Sequence, residues 1–125
     1  MAHSTFRSGC PEMVDYTPAS GNVAVGDVVV ISAATTNSTT GAAGLLGICH
    51  RPIVNNTLGA LAVMGGIYAF VNLNNAATGA ITFWDASTNK ATTVTNSNCL
   101  LGKIVANGGG GANTTCYVLH EQANV

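Results

Sequence analysis

Hydrophobic side chains fall in short runs separated by Asn, Thr, Ser and Gly tracts, the pattern of strands joined by loops. Val28-Val29-Val30-Ile31 is a run of β-branched residues and predicts a strand buried on both faces or nearly so. Leu45-Leu46-Gly47-Ile48-Cys49 predicts the next, which Arg51-Pro52 bends before a turn at Asn55-Asn56-Thr57. Leu61 to Met64 and Ile67 to Val71 read as two strands, with Gly65-Gly66 between them as a bulge or kink rather than a tight hairpin. Ile81-Thr82-Phe83-Trp84, the turn 85–90 and Ala91 to Val94 give the clearest hairpin. Cys99 to Val105 and Thr114 to His120 complete the set, with Cys116, Val118 and His120 on one face of the last strand. Residues 33–44, 72–79 and 107–111 read as loops. Seven or eight short strands predict a mainly β chain, a small antiparallel β-barrel or sandwich over residues 21–125.

Residues 1–20 break the pattern. Cys10-Pro11, Thr17-Pro18 and Ser20-Gly21 punctuate them, and proline blocks helix and central-strand pairing. Phe6, Met13, Val14 and Tyr16 are too sparse to make a core. The segment therefore reads as an extended N-terminal arm, either a disordered end or an extension ordered against another subunit. Within it, Phe6, Arg7, Met13 and Tyr16 are the candidate interface residues, because exposed aromatics and Arg anchor interfaces.

Charge sharpens the picture. Only 7% of the residues are charged, against about a quarter in an ordinary soluble domain, while 47% are hydrophobic and the net charge is −1. So little charge suits a chain covered by neighbours, because charge is what keeps free proteins apart. Arg7, Arg51, Lys90 and Lys103 are scattered singly, which argues against direct nucleic-acid binding. The longest uncharged apolar stretch, Leu58 to Val71, is too short to span a bilayer as a helix and reads as buried strands. No secretion signal is visible, so synthesis in the cytosol is expected.

Candidate chemistry is thin. Gly108 to Gly111 lacks the Lys-Ser or Lys-Thr and the following helix of a phosphate loop. His3, His50 and His120 are far apart in sequence, with no triad or metal-ligand spacing around them. No catalytic, metal or cofactor residue is therefore assigned. Asp27 and Asp85 sit where a turn carboxylate accepts backbone N–H bonds. Cys10, Cys49, Cys99 and Cys116 form no CxxC and read as reduced, mostly buried thiols. Three Asn-x-Ser/Thr triplets are what chance gives in so Asn/Thr-rich a chain.

Four blocks together are familiar: Ala24 to Val30, Leu58 to Tyr68, Ile81 to Asp85 with Thr88 to Thr92, and Leu100 to Val105. In this order and spacing the chain resembles the capsid cement, or head-decoration, proteins of tailed bacteriophages. The resemblance covers residues 22 to about 120. It implies a non-enzymatic protein on the outer surface of the virion capsid, made in the host cytoplasm. Such a protein binds the major capsid protein of the expanded head, as a homotrimer at local three-fold positions. There it clamps adjoining subunits and stabilises the shell against the pressure of packaged DNA. A competing reading is a carbohydrate- or surface-binding β module of a phage or cell envelope, with Tyr68, Phe70, Trp84 and Tyr117 stacking on sugar rings. Seven aromatics are few for that task, and period-two placement puts several in the core.

Overall fold

The computed structural model describes residues 3–32, 45–72, 77–94, 98–106 and 113–121. The loop expected over 33–44, half of that over 72–79 and the glycine run 108–111 lie outside the described residues. Among the described residues there are ten strands: β1 (Ser4–Ser8), β2 (Glu12–Tyr16), β3 (Val28–Ser32), β4 (Leu45–Cys49), β5 (Gly59–Met64), β6 (Ile67–Val71), β7 (Ile81–Asp85), β8 (Lys90–Thr92), β9 (Cys99–Ala106) and β10 (Thr115–His120). They form two antiparallel sheets, ordered β1-β6-β10-β9-β7-β8 and β2-β5-β4-β3. The sheets do not close on one another, so of the two expected architectures the sandwich is found.

The expected arm is the main difference. Residues 4–16 run antiparallel to 59–71, from Ser4 opposite Phe70 to Tyr16 opposite Gly59. They are the outer strand of a long ribbon that passes from one sheet to the other. The prolines do not prevent this, because Pro11 lies between β1 and β2 and Pro18 lies beyond β2. As edge strands, β1 and β2 need few apolar residues, which is why the segment looked coreless. The ribbon folds over at Gly9, Gly65 and Gly66, with φ of 107°, 84° and 84°, values that L side chains rarely adopt. Gly9 and Gly66 also touch: a Cβ on Gly9 would lie 2.9 Å from Gly66 Cα. The kink expected at Gly65-Gly66 is therefore the corner of the sandwich. The backbone of His120 fastens it, accepting from Gly65 N (2.7 Å) and donating to Gly66 O (3.1 Å).

Between the sheets lie Tyr68, Phe70, Trp84, Leu46, Ile48 and Leu101, each at most 2% exposed. Ring centroids are 6.4 Å apart for Tyr68 and Phe70 and 5.7 Å for Phe70 and Trp84. Truncating such a ring to alanine costs about 3–5 kcal/mol. Cys116, Val118 and His120 share the inward face of β10, as the alternation predicts. His3 caps this core: its Nδ1 accepts from Val28 N at 3.0 Å and its ring lies 5.4 Å from Trp84.

The four-stranded sheet is covered on its other face too. Val23 and Ile53 exchange two backbone hydrogen bonds of 2.9 Å and pack with Cys49 and Leu61, against Tyr16, Val29 and Ile31. Gly47 lies under this cover, where a Cβ would come within 2.7 Å of Leu61 Cβ and 2.9 Å of Ile31 Cδ1. Gly47→Ala is therefore expected to cost about 1–3 kcal/mol, read as a lower denaturant midpoint at unchanged slope.

Candidate interaction surface

The loop from His50 to Leu58 is held by hydrogen bonds at almost every step. The Cys49 thiol donates to Arg51 O at 2.9 Å. Thr57 N and Oγ1 both reach Val54 O, at 3.1 and 2.6 Å, closing a turn in which Asn56 has a φ of 63°. Asn55 N donates to Asn22 Oδ1 (2.8 Å), Gly21 N to Asn55 Oδ1 (3.0 Å) and Asn56 N to Pro18 O (2.8 Å). This clip fixes the loop to residues 18–22 and holds Val54 and Leu58 in water, 61% and 71% exposed. They cannot retreat without breaking those bonds.

Phe6, Met13 and Val25 are exposed at the same end of the molecule. Two adjoining cavities open among these residues, and His50 lines both. One, about 300 Å³, lies between Met13, His50, Arg51, Pro52, Ile53 and Leu58. The other, about 350 Å³, lies between Phe6, Val25, Ile48, His50 and Tyr68. His50 Nε2 hydrogen-bonds the Tyr68 hydroxyl at 2.6 Å, and the Phe6 ring stacks at a tilt 4.7 Å from the imidazole. Burial lowers the His50 pKa and raises that of Tyr68, so both are neutral at neutral pH.

A second open surface is the outer face of the six-stranded sheet. Val71, Ile81 and Val105 are 39–48% exposed there. Beside them the Arg7 guanidinium lies over the Tyr117 ring, 5.0 Å from its centroid. The structure thus brings Phe6 and Met13 to the His50 clefts, puts Arg7 on this other face, and packs Tyr16 into the cluster under Ile53. Val25, Val54, Leu58, His50 and Arg51 are not among the interface residues expected from the sequence. The available signal was the polar Asn55-Asn56-Thr57 turn between Val54 and Leu58, two apolar residues too close to the turn to reach a core.

No group of three or more His, Cys, Asp or Glu that could hold a metal occurs among the described residues. Cys49, Cys99 and Cys116 are buried and unpaired, and Cys10 is exposed. Burial raises the buried thiols' pKa values, to about 11 for Cys116, so they stay protonated and inert. Asp27 and Asp85 accept from Ala24 N and Ser87 N at 3.0 and 2.9 Å, as turn carboxylates do. The Ser87 hydroxyl holds the Asp85 pKa below its usual value. Tyr68, Phe70 and Trp84 are inside and offer no platform to a sugar.

No curated protein and no solved structure matches the chain. A family model described as phage cement protein matches residues 10–120, from the corner of the ribbon to the end of β10. With nearly the whole chain matched, and an architecture that leaves apolar side chains in place for a partner, the protein belongs to the phage cement protein family and is a structural protein of the bacteriophage capsid.

Proposed function

We propose that the protein attaches to the outside of an expanded phage head, clamps adjoining major capsid subunits and stabilises the shell against internal DNA pressure. In this reading it is made in the host cytoplasm and sits on the virion as a homotrimer at local three-fold positions. The observation that carries the reading is the set of apolar residues at one end, Phe6, Met13, Val25, Val54 and Leu58, all 41–71% exposed in a chain with so little charge. A free monomer gains nothing from holding such side chains in water; covered by a partner, each contributes favourably. The open face of the six-stranded sheet, with Arg7, supplies a second contact, and a clamp needs at least two. Phe6 and Met13 act at the first surface; Tyr16 acts through the strand it anchors.

The test is co-sedimentation of the purified protein with expanded, undecorated heads. Binding is expected to saturate at a fixed ratio to capsid subunits and to change little with salt, because apolar burial is not screened. Leu58→Asp is expected to lower occupancy while leaving the thermal transition unchanged. Absence of binding by the wild-type chain would overturn the reading. Because residues 4–16 belong to both sheets, substitution rather than truncation is the informative change.

A further inference from the structure

We infer that the cleft between Met13, Arg51 and Leu58 takes a carboxylate-bearing apolar segment of the capsid protein, with Arg51 as the residue that selects it. The inference rests on the proposed capsid attachment and names the chemistry of the partner.

Arg51 is exposed, lies on the wall of the 300 Å³ cavity and forms no ion pair among the described residues. It is the one permanent charge in the lining, and none of the lining residues is acidic. The Asp and Glu side chains do not answer it. Asp27 and Asp85 are taken up by backbone N–H groups. Glu121 lines a different cavity, beside Lys103 on the six-stranded sheet. Glu12 and Asp15 flank Met13 on β2, yet neither lines the cleft nor pairs with Arg51.

Apart from His50, whose Nε2 is engaged by the Tyr68 hydroxyl, the remaining walls, Met13, Pro52, Ile53, Leu58, Gly59 and Ala60, are apolar. An incoming side chain that displaces water from them lowers the local dielectric and strengthens any charge pair formed there. A guanidinium is the cation suited to this, being weakly hydrated and able to hold a carboxylate through two parallel hydrogen bonds. The volume corresponds to about ten water molecules at roughly 30 Å³ each, which is room for one or two side chains. Apolar walls with a single unanswered guanidinium are complementary to an apolar segment carrying one Asp or Glu.

The experiment compares the wild-type chain with Arg51→Glu, Arg51→Leu and Arg51→Lys in head co-sedimentation, alongside sedimentation velocity of each free protein. Arg51 is exposed, so all four proteins are expected to share one thermal transition. Arg51→Glu is expected to weaken head binding by at least about thirtyfold, the loss that follows breaking a desolvated charge pair. Arg51→Leu is expected to lose less and Arg51→Lys least. Equal binding by wild type and Arg51→Glu would overturn the inference and leave the cement reading standing. Failure of the wild type to bind heads would overturn that reading itself. A change in the oligomeric state of free Arg51→Glu would also overturn the inference, placing a second copy of the chain in the cleft.

Discussion

Gly102→Ala is expected to abolish the cooperative folded state. A Cβ at Gly102 would lie 1.8 Å from the carbonyl oxygen of Leu119 and 2.9 Å from its carbon. Both are backbone atoms of the paired strand, so no rotamer relieves the contact. Gly102 stands opposite His120 in the ladder, and its own carbonyl accepts from Thr82 Oγ1 at 3.1 Å on the other side. The residue is wedged between β10 and β7, and one methyl group pushes β9 away from β10. Since β10 carries Cys116, Val118 and His120 into the core, the loss is expected to exceed about 4 kcal/mol, a range few single substitutions reach. Gly21→Ala is the comparison, because nothing lies within 4 Å of a Cβ there and only the positive φ opposes it. Circular dichroism melts decide the matter: a Gly102→Ala transition close to that of Gly21→Ala would refute the wedge.

Acid is expected to begin destabilising the protein above the range in which carboxylates titrate. His120 is completely buried, with Nδ1 2.8 Å from Leu101 O. Desolvation lowers its pKa, and the backbone carbonyls of Leu101, Leu46 and Ala62 oppose the shift without cancelling it. The unfolded chain binds this proton near pH 6.5, whereas the folded chain resists it. Stability is therefore fully present above about pH 6.5 and falls as the pH drops below it, by up to about 1.4 kcal/mol per pH unit for one site. Half-buried His50 is shifted in the same direction by desolvation and adds to the slope. His120→Asn keeps an amide donor at the Nδ1 position for Leu101 O and removes one titrating site. Urea midpoints from pH 8 to pH 5 are expected to fall steeply for the wild type and less for the variant. Parallel curves would show that the acid sensitivity lies elsewhere.

The eight strands from β3 to β10 were legible because β-branched runs and period-two alternation are local signals. Gly65-Gly66 was legible as a kink, since two glycines inside an apolar run have few other uses. β1 and β2 were not, for two physical reasons. Their partners lie more than forty residues away, as Ser4 opposite Phe70 and Tyr16 opposite Gly59 show. As edge strands they also carry one wet side, which thins their apolar count to that of a loop. Phe6 and Met13 were chosen by residue type and do lie at the His50 clefts. The turn at 55–57 hints at the exposure of Val54 and Leu58, but what holds them out is the clip between residues 18–22 and 55–56, a contact no local pattern encodes. Arg51 read as part of a bend at Pro52 and as one of four scattered cations.

The folded ribbon also sets a timetable. During synthesis residues 4–16 are made before their pairing partner, 59–71, which follows more than forty residues later. Even then the corner stays unfastened, because the hydrogen bonds that hold Gly65 and Gly66 come from His120, at the end of the last strand. Most contacts join distant parts of the chain, a topology that folds slowly. The first strands of the nascent chain thus wait for their partners, and the corner waits for β10, before the sandwich can close.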